Sequence, residues 1–360
     1  MALRVAHLIY GLGLGGLEQL VVQLSARGRK RGIEPTLIAL GPDGPMRDLA
    51  RSHDIPLEHI TGDGLSLGTI LGVRGALQRS GATVLHAHDL GPWLNAVAVR
   101  ATSPFTKVLA TFHEQRTPQG RKRQAANVAA RFSEALVACG EQVRADIRGW
   151  APPSSRVPVI ANGVPLDAPA NGARELARAE LKVPDGAVAV GYLGGLREIK
   201  GPDRLVEAFL DRFADRGDVH LYLVGSGPME AALRERARGH ANVHFAGLII
   251  NASRLLPAFD VYAQTSLSEG RSLSMLEAMA AGLPTVAHRL PAIEEIHRDG
   301  ESALLVTLGD RKGLGTALDR LVRDAALRAR LGAEAQRRAQ AHSIEPMVDA
   351  YAALYRDLLS

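Results

Sequence analysis

The chain has 360 residues, 46% of them hydrophobic and 22% charged, with a net charge of +5 and one cysteine, Cys139. That length is more than one core serves well and predicts two domains, and a lone cysteine excludes an internal disulfide framework and fits a reducing compartment. The modest charge and an aromatic content of only 4% argue against a nucleic-acid partner, which calls for stacking platforms in a basic groove. Residues 1–10 run straight into a strand pattern instead of a signal peptide, and no later run has the length and apolarity to span a bilayer, so a cytoplasmic protein is expected.

Apolar runs alternate with helical patterns along both halves, the signature of parallel α/β layers. The first half offers strands at 5–10, 36–40, 83–86, 108–112, 135–138 and 157–160. After the first of them, Gly11-Leu12-Gly13-Leu14-Gly15-Gly16 satisfies G-x-G-x-x-G before a helix starting near Leu17. A dinucleotide site is one reading, but that fold wants an acidic residue at the end of the second strand, and none occurs there before Asp43.

His86-Ala87-His88-Asp89 and Thr111-Phe112-His113-Glu114 close two neighbouring strands. Carboxyl ends of parallel strands face the crevice where ligands bind, which singles out His88, Asp89 and His113, while His86 reads as a packed or hydrogen-bonded core residue. Metal ligation competes for His-x-His-Asp, though no third Cys or His cluster completes a set. The basic run 116–131, with Arg121-Lys122-Arg123, reads equally as a solvated helix face and as a contact for an anionic membrane surface.

Turn formers crowd 162–172 and mark the linker. Domains are expected at 1–165 and 173–340, with an amphipathic helical segment at 341–360. Second-half strands fall at 188–193, 220–224, 243–245, 261–264, 285–287 and 303–306. The loop Gly194-Gly195-Leu196-Arg197-Glu198-Ile199-Lys200-Gly201 follows the first of these, and Gly225-Ser226-Gly227-Pro228 follows the second. The fourth leads to Ser268-Glu269-Gly270-Arg271-Ser272-Leu273, then to a helix that carries Glu277 and stops at Gly282-Leu283-Pro284. A helix N-terminus at a strand end offers unpaired N–H groups and a positive dipole end, suited to a phosphate or a polar sugar.

The segment 268–284 resembles the E-x7-E motif, followed by A-M-A-x-G-x-P, of the retaining nucleotide-sugar glycosyltransferases of family 4, which have the GT-B architecture. Gly15-Gly16-Leu17-Glu18 resembles that family's G-G-x-E, Asn162-Gly163-Val164 its hinge, and Gly225-Ser226-Gly227-Pro228 its G-x-G-P. The loop at 194–201 is similar to its G-R-L-x-x-x-K-G, with Gly195 standing where the family has arginine.

The resemblance implies two Rossmann-like domains facing across a cleft, the first on the acceptor side, the second on the donor side, and the last helix packing back on the first domain. It implies a nucleoside diphosphate sugar, with UDP the commonest form, as co-substrate, and a sugar, lipid-linked or small-molecule hydroxyl as acceptor. Glu269 and His113 would lie by the sugar, Glu277 at the ribose and Lys200 at the diphosphate, with Arg197 or Arg271 replacing the missing arginine. Gly15, Gly16, Gly194, Gly195, Gly225, Gly270, Ser272 and Leu273 would line the donor, and Glu18, His88 and Asp89 the acceptor. No Asp-x-Asp occurs, so no metal and no cofactor are expected. An epimerase of the same architecture, a non-catalytic sugar-nucleotide-binding subunit and an NAD-dependent oxidoreductase are the alternatives.

Overall fold

Strand and helix patterns alternate into two six-stranded sheets, each wholly parallel. The computed structural model describes every residue except Met1, Ala2, Leu14, Asp63, Arg116, Ala168 and Pro169. The start of the N-terminal stretch, one position of the glycine run, the first of the basic run and two of the linker therefore lie outside the described residues.

The first sheet contains β1 (Leu3–Ile9), β2 (Ile33–Ala39), β3 (Leu57–His59), β4 (Val84–His88), β5 (Lys107–Phe112) and β6 (Ala135–Ala138), in the order β3-β2-β1-β4-β5-β6. The second contains β7 (Val188–Leu193), β8 (Val219–Val224), β9 (Val243–Gly247), β10 (Val261–Gln264), β11 (Thr285–His288) and β12 (Ala303–Val306), in the order β12-β11-β10-β7-β8-β9. Central strands such as β4 and β8 are buried at every residue, because helices cover both faces. The order in which successive strands are added reverses at neighbouring parallel strands, β1 beside β4 in the first sheet and β7 beside β10 in the second. Crevices at such switch points are where ligands bind in open α/β sheets.

The chain divides into two units, residues 1–163 with Ile344–Ser360, and Val164–Ser343. In the first, Trp93, Phe112 and Trp150 pack ring to ring within the core. The helix Ile344–Leu359 belongs to this unit, where Arg31 Nε meets Asp349 at 2.8 Å and Tyr351 and Tyr355 are buried. In the second, Phe209 and Phe213 pack on one side of the sheet, and Met275, Leu276 and Met279 belong to a separate cluster.

Two strand expectations change. The run 157–160 forms only an isolated bridge, Ala138 with Val159, since Pro158 has no N–H to donate to a ladder. Conversely, β3 supplies an edge strand of three half-buried residues, too short to show alternation. No helix among the described residues is long and apolar enough to cross a membrane.

Candidate active site

In the second unit the loops after β7 and β10 meet beside the switch point. The first passes through a turn of helix at Glu198–Lys200 to Gly201, whose φ of 59° opens the helix Pro202–Phe213. A Cβ on Gly201 would overlap the Thr265 carbonyl oxygen, so only glycine allows this approach. Leu267 N donates to Ile199 O at 2.8 Å and Thr265 Oγ1 to Gly201 O at 2.7 Å, which stitches the loops together. Gly225 after β8, at φ 140°, sits so close to the Gly194 carbonyl that any side chain would collide with it. Gly194 N also donates to Val224 O at 3.0 Å.

Lys200 and Glu269 are brought together. Lys200 Nζ lies 2.9 Å from both carboxylate oxygens of Glu269, whose side chain is only 5% exposed. Gln264 Nε2 and Ser266 Oγ donate to the same carboxylate at 3.0 and 2.6 Å, so the buried charge is paired and solvated by protein. Ser272 caps the helix Leu273–Ala280, its hydroxyl accepting from Met275 N and donating to Gln264 Oε1 at 2.9 Å. Gly270 is buried in the loop between, and Leu273 is half-buried at the helix start.

Glu277 sits in the second turn of that helix. Its carboxylate has no hydrogen-bond or ion-pair partner among the described residues, and burial pushes its pKa up to about 7. Arg271 is turned elsewhere: Nη2 lies 2.8 Å from His342 Nδ1, and Nη1 is 3.8 Å from Glu295. Burial and this guanidinium hold His342 down at about 4. Arg197 is exposed and lies against Gly195, whose place the family arginine would take.

In the first unit, Gly15 and Gly16 are exposed at the start of the helix Gly16–Gly28, and the Glu18 carboxylate folds back against Gly15. β4 stays extended through His88, so His86 and His88 share a face with ring centroids 4.2 Å apart. The expectation that no third histidine joins them is corrected, because register pairs His7 on β1 with His86. His7, His86 and His88 then have ligand atoms within 4.8 Å of one another.

Both nitrogens of His86 are nevertheless taken, by Tyr355 Oη and Thr111 Oγ1 at 2.7 Å each. That matches its reading as a hydrogen-bonded core residue and makes the trio a poor metal cage. The other rings form a line: His7 Nδ1 lies 3.2 Å from His88 Nε2, His88 Nδ1 lies 3.2 Å from His113 Nε2, and His113 Nδ1 lies 3.5 Å from Asn162 Nδ2. Asp89 uses one carboxylate oxygen to accept from His113 N at 3.0 Å. Burial lowers the pKa of His7 to about 3 and holds His86, His88 and His113 below the usual range. Asp89 and Glu114 partly restore that of His113.

Sequence reasoning missed His7, Gln264 and Ser266; a histidine inside an otherwise apolar strand was the available signal for the first. Of the basic run, Arg121, Lys122 and Arg123 lie exposed on the helix Gly120–Ala130, with Arg123 Nη2 donating to Gly149 O at 2.8 Å.

A family model described as Glycosyltransferase Family 4 matches residues 14–168, and one described as Glycosyl transferases group 1 matches residues 187–324. The lipopolysaccharide core biosynthesis glycosyltransferase LpsE of Rhizobium meliloti is 30% identical over 339 residues, 91% of this chain and 92% of the relative. A phosphatidyl-myo-inositol mannosyltransferase of Mycobacterium leprae is 31% identical over 344 residues, 90% of this chain and 89% of its own length. Among solved structures, HepE of Anabaena in complex with UDP and glucose has a TM-score of 0.84 at 20% identity, covering 99% of this chain and 100% of that one. Sucrose-phosphate synthase of Thermosynechococcus elongatus has a TM-score of 0.81, also at 20% identity, covering 99% of each chain. These two structures speak for the fold. With a model matched in each half and relatives of 30% and 31% identity along nearly the whole length, the chain belongs to the family 4 glycosyltransferases of GT-B architecture.

Proposed function

We propose that the protein is a retaining glycosyltransferase that moves a hexose from a UDP-sugar to a hydroxyl of a glycan, lipid-linked or small-molecule acceptor, without a metal ion. The observation that carries this reading is the Lys200–Glu269 pair, 2.9 Å apart at the switch point, followed on the next helix by Glu277, which has no side-chain partner among the described residues. Lys200 is neutralised by Glu269. An arriving diphosphate supplies a stronger anion for Lys200, which frees Glu269 oxygens to accept from sugar hydroxyls. Glu277 accepts from the ribose hydroxyls.

Arg197 supplies the second cation, since it lies against Gly195, the position at which the family has arginine. N–H groups at the starts of the helices Pro202–Phe213 and Leu273–Ala280 add to the positive field where negative charge grows on the leaving diphosphate. UDP as the carrier is supported by the similarity to HepE, whose solved complexes hold UDP, UDP-glucose, and UDP with glucose. Polysaccharide or lipid-glycan synthesis is supported by the LpsE and mannosyltransferase relatives. A buried thiol at Cys139 fits a reducing, cytoplasmic setting.

Retention arises either by double displacement or by attack from the face that the diphosphate leaves, and with Glu269 the one acid assigned to the sugar, the second route is the one proposed. As the anomeric carbon–oxygen bond to phosphate breaks, the acceptor oxygen bonds to that carbon and its proton passes to the leaving phosphate oxygen. Glu269 steadies the positive charge developing on the sugar ring. In the first unit the family resemblance assigns His113 to the donor sugar and Glu18, His88 and Asp89 to the acceptor side, with His88 acting from behind His113.

The test is calorimetry of UDP, GDP, dTDP, ADP and NAD against the wild type and Lys200→Ala without divalent metal, with thermal stability of each empty protein as the control. UDP binding that weakens at least tenfold in the variant is the expected result. Binding of NAD alone would return the chain to the dinucleotide reading of residues 11–16. UDP binding with no sugar transfer to any acceptor would favour the non-catalytic reading, to which the missing arginine at Gly195 points.

A further inference from the structure

Residues His7, His88 and His113 come from β1, the end of β4 and the position just after β5, yet their ring nitrogens meet in sequence at 3.2 Å each. A neutral imidazole has one N–H donor and one bare acceptor nitrogen. Two N–H···N bonds in a line therefore run the same way, so that every ring carries its proton on the same nitrogen, all Nε2–H or all Nδ1–H. Asn162 sets the direction, because its Nδ2 can only donate toward His113 Nδ1. His113 Nε2–H then donates to His88 Nδ1, and His88 Nε2–H donates to His7 Nδ1.

We propose that His88, backed by His7, is a positioning residue that locks His113 into the neutral Nε2–H tautomer, so that its Nδ1 lone pair, which the Asn162 amide meets at 3.5 Å, is the ring acceptor that a substrate hydroxyl takes over from that amide. This rests on the proposed role of His113 in sugar transfer.

The surroundings favour neutrality along the line. The groups facing it are His86 from β4, Tyr351 and Tyr355 from the helix Ile344–Leu359, the Cys139 thiol, which donates to His113 O at 3.5 Å, and the carboxylates of Asp89 and Glu114 near His113. Burial disfavours a charged ring at each position, and the mutual repulsion of neighbouring imidazolium charges acts in the same direction on His86 and His88. A proton on His113 Nδ1 would face the Asn162 donor with no acceptor for it. The line thus keeps the one ring N–H of His113 on His88 and presents Nδ1 to a substrate as an acceptor held at fixed orientation.

The test uses the whole protein with 15N-labelled histidine rings, assigned through single substitutions. At pH 7 the wild type is expected to show the Nε2–H tautomer at His7, His88 and His113. His88→Leu is expected to release His113 into a mixture of tautomers and to lower kcat roughly 10-fold with donor KM nearly unchanged. His88→Gln, whose amide can accept from His113 and donate to His7, is expected to restore both. Unlike tautomers among the three rings, or a charged His113 at pH 7, would overturn the line itself. Normal kcat in His88→Leu with a melting temperature like that of the wild type would overturn the positioning role. If His113→Ala left transfer intact, the function assigned to His113 would fall while the tautomer result stood, so the two failures are distinguishable.

Discussion

Glu277 is the side chain whose charge costs the fold most plainly. Its carboxyl titrates at about 7 instead of 4.5, so between those values the folded chain holds a proton that the unfolded chain has released. Stability therefore falls as pH rises through that window, and the penalty is complete above it. Glu277→Gln is expected to be more stable than the wild type at pH 8 by roughly 1–3 kcal/mol and equal to it at pH 4, read by urea denaturation. Ribose hydroxyls that donate to the charged form would pull the pKa back down. UDP binding near pH 6.5 should accordingly release a proton from the wild type and none from the variant, as seen by calorimetry in buffers of different ionisation heat. The position of this carboxylate on its helix was legible from spacing alone. That it would be unpartnered was not, because sequence shows which residues share a turn and not which neighbours fail to reach them. His7 makes the same point from the other side: it reads as one polar letter in an apolar strand until register sets it beside His86.

Among the elements, the helix Ile344–Leu359 does more than cover apolar surface. Tyr355 Oη meets His86 Nδ1 at 2.7 Å, and Tyr351 Oη meets Thr111 Oγ1 at 2.8 Å, so two tyrosines one helical turn apart complete the polar core under β4 and β5. Tyr355→Phe leaves a fully buried His86 nitrogen without its partner and is expected to lower stability by about 1–3 kcal/mol, measured by denaturant unfolding. Combined with Tyr351→Phe, the loss should be non-additive, since Thr111 links both tyrosines through His86. The amphipathic stripe that predicts this helix says nothing of hydroxyl partners hundreds of residues away. Strands were read well where both faces are buried, as in β7, β10 and β12, whose limits coincide with the apolar runs. The reading failed at the rim, where β3 is too short to alternate and the Pro158 segment is apolar without being a strand.

At the scale of the molecule, the two units have separate cores and different relations to the sequence. Residues 164–343 are continuous, whereas the first unit is assembled from 1–163 and 344–360. A fragment of 164–343 is expected to unfold cooperatively and to keep UDP binding within roughly tenfold of the full chain, because Lys200, Glu269 and Glu277 all lie inside it. A fragment ending at residue 163 would expose the face that Tyr351 and Tyr355 cover, and it should recover native-like circular dichroism only when a peptide of 344–360 is added. Failure of the continuous fragment to fold would show that the second core depends on the first. Repetition of the alternating runs in both units was legible as two cycles, whereas the return of the last helix to the first unit was implied only by the family resemblance, because nothing local to 344–360 names its partner.

That discontinuity also sets an order of events on the ribosome. Translation completes every residue of 164–343 before it reaches Ile344, so the second unit can settle while the first still lacks its closing helix. Until residues 344–360 emerge, the histidines at the strand ends face water instead of tyrosine, and their rings are free to pick up protons. A nascent chain stalled just after residue 343 therefore carries a complete second unit joined to an open, chaperone-accessible histidine core, and only continued synthesis closes the first unit.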